Sequence, residues 1–344
     1  MAEYISFQPS DYFNTKLYTG NNSTQSITGV GFQPDMVWIK KRNATGNHAL
    51  MDAVRGATYV LKPNIDENSV DEDGLTSFDS DGFSLTNYSN TNSSNTFVSW
   101  NWKANGAGSA NTDGSINTTS TSVNTTSGFS ISKYTGTGAN ATVGHGLGVA
   151  PKMILFKDTT NASTNWSVYH KDIGNDYRLT LNDNSVRQGS SSTYYQSTDP
   201  TSSVFYIGSN SRANASSAVT IAYCFAEKKG FSKIGSYTGN GNADGAFVYT
   251  GFKPAMVIIK LYSTGAENWR MFDNKRIGYN PNNYKLYPSL NSDEGTSDLI
   301  DLYSNGFKPR TTSIESNGSG NGYIYMAFAE SPIVSSNDIP VVAR

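Results

Sequence analysis

One stretch of this sequence occurs three times, and that repetition limits the possible folds more than any other feature. The first copy runs Tyr18-Thr19-Gly20 and then Gly31-Phe32-Gln33-Pro34-Asp35-Met36-Val37-Trp38-Ile39-Lys40. The second is Tyr134-Thr135-Gly136 with Gly148-Val149-Ala150-Pro151-Lys152-Met153-Ile154-Leu155-Phe156-Lys157, and the third Tyr237-Thr238-Gly239 with Gly251-Phe252-Lys253-Pro254-Ala255-Met256-Val257-Ile258-Ile259-Lys260. In each, a Gly-rich turn leads to a proline, which a sheet admits only at a strand entrance or an edge. Four apolar residues and a lysine follow. A short apolar run rich in branched residues, bounded by turn signals, reads as a buried strand. The period, about 105–115 residues, is far longer than that of a solenoid repeat and has the size of a whole domain.

Further elements recur in step. His48-Ala49-Leu50-Met51-Asp52, Trp166-Ser167-Val168-Tyr169-His170 and Trp269-Arg270-Met271-Phe272-Asp273 stand at matching places and read as strands. The first and third copies share a hairpin, Phe78 to Phe83 and Leu302 to Phe307. Its Asp81-Gly82 and Asn305-Gly306 dipeptides predict a tight type I′ turn. Every copy closes on an aromatic strand: Phe97 to Trp102, Ile221 to Ala226, and Tyr323 to Ala329. Within these, Trp100, Tyr223 and Met326 match, as do Trp102, Phe225 and Phe328. Residues two apart share one face of a strand, which makes them core candidates. No window of helical length carries a sustained 3.6-residue apolar period. The expected fold class is therefore all-β: three tandem β-sandwich domains of jelly-roll or lectin-like type, with a closed barrel as the alternative.

The domain boundaries follow from composition. An N-terminal arm spans 1–11, and sandwich repeats span 12–103, 128–229 and 230–330. Residues 104–127, nearly all Ser, Thr, Asn, Gly and Ala, read as a flexible linker, and 331–344 form a C-terminal arm. Only 16% of the 344 residues are charged and the formal net charge is −2. No electrostatic footprint for nucleic acid or anionic membrane is present. No apolar run reaches membrane-spanning length, and no basic-then-apolar leader opens the chain. The single cysteine, Cys224, excludes a disulfide framework or a multi-cysteine zinc site, and its apolar setting marks it as a buried packing residue.

Candidate chemistry is sparse. Of three histidines, His145 lies in a Gly-rich turn without a nucleophile-elbow pattern, while His48 and His170 are out of step with each other. Asp52 and Asp273 are the acidic positions shared by the first and third copies, which gives little support to a carboxylate pair of the glycosidase kind. The acidic run Asp66 to Asp73 supplies oxygens for calcium but fails the EF-hand spacing, and a solvated loop is the simpler reading. No catalytic residue, metal site or cofactor is expected. Tyr194 and Tyr195, in a Ser/Thr/Gln/Asp-rich loop, are the candidate binding residues, since sugar faces stack on such rings. The competing reading tucks one of them back onto its own domain.

Nearly the whole chain resembles a family of uncharacterised repeat domains found in virion proteins of marine bacteriophages and described as tail-fibre-like. The resemblance rests on Phe7 to Thr15 with Leu17-Tyr18-Thr19-Gly20, on Gly144 to Met153, on Phe231-Ser232 through Gly241, and on Ala222 to Glu227 with Tyr325 to Glu330. Asn101 departs from it, standing where the first closing strand would carry Cys. The resemblance implies a non-enzymatic virion structural protein, assembled in a host cytoplasm beside other virion proteins. The expected role is a tail or fibre component that contacts the host surface, with glycan as ligand and a homo-oligomer, trimer favoured, as the assembled form. A capsid decoration protein and a polysaccharide depolymerase are the rival readings.

Overall fold

A computed structural model describes residues 8–297 and 300–330, together with the backbone of a short pair, Ile333–Val334 with Pro340–Val341. Most of both expected arms, 1–11 and 331–344, therefore lies outside the described residues. The chain is predominantly β, and the helices among the described residues are single turns such as Ser89–Asn92 and Ser192–Tyr195. Each repeat builds a large inner sheet and a small outer one. The first inner sheet centres on the closing strand Thr96–Trp102, flanked by Phe13–Thr19 and Met36–Lys41, with Ala49–Asp52 and Gly56–Leu61 beyond. The second places Val219–Phe225 between Phe129–Thr135 and Met153–Asp158, and the third places Gly322–Ala329 between Ser232–Thr238 and Pro254–Leu261. All these pairings are antiparallel.

The expected type I′ turn is not formed. Asp79 pairs with Gly82 and Tyr303 with Gly306, so the turn residues are Ser80-Asp81 and Ser304-Asn305, none of which has positive φ. Glycine is required one place later because of a close approach. A Cβ on Gly82 would lie 1.9 Å from the Ile27 carbonyl oxygen, and one on Gly306 would lie 2.2 Å from that of Val248.

What each sheet buries explains the continuous apolar runs. One face of every inner sheet packs on its own outer sheet, forming three separate sandwich cores. The opposite faces of all three inner sheets meet one another in a single shared core. With both faces covered, a strand loses the apolar/polar alternation of a half-exposed one, and every residue of Met36–Lys41 and Met153–Asp158 is buried. Trp102, Phe225 and Phe328 are buried, but they face the other repeats rather than their own sandwiches. Their rings close a triangle with centroid separations of 5.6, 6.1 and 6.5 Å. Phe13 stacks on Phe328 and Phe129 on Phe225, both at 4.9 Å, and Phe231 meets Phe328 edge-on. Six rings thus mark a pseudo-threefold axis inside one chain.

The stretch expected to be a flexible linker is packed. Ala104 N and Gly106 N donate to the Asp35 carboxylate at 2.6 and 2.9 Å, Ile116 joins the second sandwich core, and Ser120–Asn124 pairs with Phe129–Thr135. Ser/Thr/Asn composition cannot build a core, but its hydroxyls can bond within one and its backbone can cover a sheet edge. Thr118 bonds Thr121 in this way, and Thr121 bonds Ser132.

Because Phe225 lies in the shared core, its replacement by Ala is expected to cost roughly 3–5 kcal/mol. Calorimetry is expected to show one transition for the whole variant, moved to lower temperature. A loss below about 1 kcal/mol, or a second transition split from the first, would contradict this packing.

Candidate functional site

The chemically distinctive residues gather at the seams between repeats, where the pseudo-threefold relation sets one pattern three times. Register makes His48, Trp166 and Trp269 equivalent, each beside the lysine that ends the preceding apolar strand. The Trp166 indole N–H donates to the Lys62 carbonyl at 3.2 Å, Trp269 to Thr180 at 2.8 Å, and the His48 Nε2–H to Tyr287 at 2.9 Å. The three accepting residues each follow a buried leucine, Leu61, Leu179 or Leu286, so each repeat holds the next in a closed cycle. His48 is smaller than tryptophan, and Trp38 backs it by donating Nε1–H to His48 Nδ1 at 2.8 Å.

Two of the three repeated lysines bond across the same seams. Lys157 Nζ donates to the Asp66 carbonyl of the first repeat at 3.1 Å, and Lys260 Nζ to Asn184 of the second at 3.1 Å and to Glu267 at 2.6 Å. Lys40 Nζ donates to the Lys41 carbonyl at 2.8 Å. Burial lowers all three ammonium groups to about 8.

Asp52 and Asp273, the shared acids, each hold the arginine three residues on, Arg55 or Arg276, at 2.6 Å inside the protein. The same Asp oxygen accepts from a neighbouring repeat: Tyr223 O–H at 2.6 Å on Asp52, and Trp100 Nε1–H at 3.2 Å on Asp273. The second repeat carries His170 and Ile173 at these positions, and the donor's counterpart in the third repeat is Met326, so the Asp–Arg pair of the other two seams is replaced here by a buried histidine among apolar residues. A buried pair held this way is strongly destabilising to break and contributes little net stability beyond an apolar contact. As acids shared by two copies they give little sequence support to a catalytic pair, and the fold uses them as fasteners.

The binding candidates separate. Tyr195 is 2% exposed, stacks on Phe156 at 5.8 Å and shares a hydrogen bond with Ser167. It is a core residue. Tyr194 is half-buried, with the Arg178 guanidinium 4.9 Å from its ring centroid. The pair does not form a two-ring exposed face, because the loop turns helical at Ser192 and drives the second ring inward. In the acidic run, Glu67 and Glu72 both bind Lys62 Nζ, at 2.7 and 2.8 Å, and Tyr88 donates to Glu72 at 2.6 Å. Among the described residues no group of three or more His, Cys, Asp or Glu is placed to hold a metal ion, and no helix is long and apolar enough to cross a membrane. Cys224 is enclosed in the second sandwich core, where burial pushes its thiol pKa up.

Two shallow hollows, of about 240 and 340 Å³, run beside the edge of Phe13–Thr19 that pairs with no strand among the described residues, with Lys275 at both. Sequence reading missed the exposed aromatic residues of the third repeat, Phe247, Tyr249 and Tyr279, which are 48, 64 and 72% exposed. A position-by-position comparison of the three copies could have found two of them, because Phe247 and Tyr249 stand where the first copy has Ser26 and Thr28. The chain matches a family described as "Domain of unknown function (DUF7483)" over residues 8–332, a span that takes in all three repeats. No curated protein matches it.

All three histidines are held neutral, with Nδ1 accepting in each: from Trp38 in His48, from Leu147 N in His145 at 3.1 Å, and from Asp172 N in His170 at 3.2 Å. Burial lowers each pKa: that of His48 well below the usual value, that of His145 below it, and that of His170 to about 4. Above about pH 6.5 native and unfolded chains are both neutral at these rings. Below it the unfolded chain takes up protons that the native fold refuses, so stability falls with pH, by up to about 1.4 kcal/mol per unit for each histidine, until the native rings titrate. Urea titrations at pH 7.5 and 5.5 are expected to show a lower midpoint at 5.5. Equal midpoints would contradict this assignment.

Proposed function

The chain belongs to the DUF7483 family, and we propose that it is a non-enzymatic structural protein of a bacteriophage virion, a tail or fibre component that contacts the host surface and binds glycan there. The observation that carries this reading is the fusion of three sandwiches around one aromatic core. Such a block has rings packed where its three domains meet. Its most conspicuous polar groups hold the seams rather than face a substrate. The resemblance to tail-fibre-like repeat domains supplies the virion context. A net charge of −2 supports contact through rings and hydroxyls rather than through nucleic acid or anionic membrane.

The threefold arrangement expected of a fibre trimer has a counterpart within the single chain. Multiplicity then comes from several chains arrayed on the particle among other virion proteins, which raises avidity without new contacts. One observation favours a second reading: a pseudo-threefold block suits a threefold site on a capsid shell, the place of a decoration protein. A depolymerase draws less support, since the shared acids Asp52 and Asp273 are each committed to an arginine and a ring donor.

Gold labelling of intact particles with antibody to the purified chain is expected to mark the tail or its fibres. Label over the shell would favour the decoration reading, and unlabelled particles would contradict both. In parallel, the purified protein is expected to release no reducing ends from host surface polysaccharide. Release that a single acid-to-amide change abolishes would overturn the non-enzymatic reading.

A further inference from the structure

The outer sheet of the third repeat presents a face that the other two repeats lack. Its strands are Val248–Tyr249, Gly306–Pro309 and Ile300–Tyr303, with Tyr249 and Tyr303 both opposite Gly306. Val248, Phe307, Leu302 and Ile300 fill the sandwich core. Alternation along the strands therefore turns Phe247, Tyr249 and Tyr303 outward. The Phe247 ring meets Tyr303 edge to face at 5.9 Å, directly over Gly306, where a Cβ would come within 2.7 Å of the phenyl ring. Glycine forms the floor, and rings stand on either side of it.

Pseudo-symmetry supplies an internal control. The inward positions of Val248 and Phe307 are held by Ile27 and Phe83 in the first repeat and by Val143 and Phe205 in the second, apolar in all three. The outward positions of Phe247 and Tyr249 are Ser26 and Thr28 in the first repeat and Thr142 and Gly144 in the second. The fold does not need rings there, and exposed aromatic surface that packing does not require marks an interaction site.

Beside the rings lies a set of paired surface charges. Asp244 bonds Lys308 at 2.5 Å and Arg310 at 3.1 Å, Arg310 lies 3.6 Å from Asp301, and Asp301 accepts from the Tyr303 hydroxyl at 2.9 Å. Two acids and two bases cancel, so the face favours neither polyanion nor polycation. Its footprint, three rings around one glycine, falls well short of the roughly 800 Å² per partner of a standard protein interface. A sugar ring fits this chemistry: its C–H face packs on an aromatic ring, and its hydroxyls find both charge-assisted donors and acceptors at the rim.

We propose that this face is a binding platform for a neutral glycan, with Phe247 and Tyr249 stacking on sugar rings and Asp244, Asp301, Lys308 and Arg310 bonding hydroxyls. It deepens the reading above and rests on it only for the source of the glycan, since binding is a property of the purified chain wherever that chain sits.

Affinity electrophoresis of the full chain in native gels containing galactomannan, yeast mannan or a mixed-linkage β-glucan, with alginate as the acidic control, tests it. Retardation is expected in at least one neutral gel and not in alginate alone. The double variant F247S/Y249T, which carries the residues of the first repeat, is expected to keep its melting temperature and bind about tenfold more weakly or worse. Should that variant melt early, Y249T alone, at the most exposed of the three rings, gives the same readout with weaker binding expected. No retardation by any neutral polysaccharide, retardation by alginate only, or binding unchanged in the variants would each overturn the platform. Particle labelling that contradicts a virion location would leave it standing.

Discussion

The packing of Trp102, Phe225 and Phe328 on one another is the constraint on which the rest of the molecule depends. Each ring sits at the same place in its repeat, and each would lie on an exposed sheet face if its repeat stood alone. A sheet with one face on its partner sheet and the other against water alternates apolar and polar residues. The apolar strands Met36–Lys41 and Met153–Asp158 do not alternate, because their second faces are buried against neighbouring repeats. Three sandwiches with tryptophan or phenylalanine on the outer face of a sheet would stick together in any case. Joining them in one chain makes that association intramolecular and fixes its stoichiometry.

A greasy triangle could assemble in more than one rotation, and the seams remove that freedom. The indole and imidazole donors at 48, 166 and 269 reach carbonyls that only one arrangement brings within bonding distance. The lysines at 157 and 260 do the same for the loops beyond. Groups of this kind, buried with their partners, penalise every other register because a misplaced copy would leave a donor unsatisfied. Departures from symmetry matter as much. His48 needs Trp38 behind it, and the His170–Met326 seam has no counterpart to the Asp–Arg pairs of the other two. The three seams are alike in geometry and different in chemistry, so each repeat has one proper neighbour.

The number of repeats, their strands and the burial of the closing-strand rings are legible in the sequence, since a period of two and a turn-bounded apolar run are local signals. The partner of a buried face is not local. Nothing within Phe97 to Trp102 distinguishes a face that meets its own sandwich from one that meets another repeat, and the central core was invisible for that reason. Residues 104–127 misled because composition reports what can form a core, not what can cover an edge. Tyr195 misled because a polar neighbourhood in sequence became a helical turn that points the ring inward. Phe247 and Tyr249 were missed for the opposite reason: aromatic residues in a strand pass for core until the copies are laid side by side.

A block of this kind holds its outer sheets in fixed relation, which suits presentation of a surface more than movement around a substrate. That view depends on the three repeats being one cooperative unit. Native-state hydrogen exchange on the closing strands Thr96–Trp102, Val219–Phe225 and Gly322–Ala329 tests it most directly. The shared core predicts that the slowest amides of all three exchange with one opening free energy and one denaturant dependence. A repeat whose closing strand opened separately, at markedly lower free energy than the other two, would contradict it.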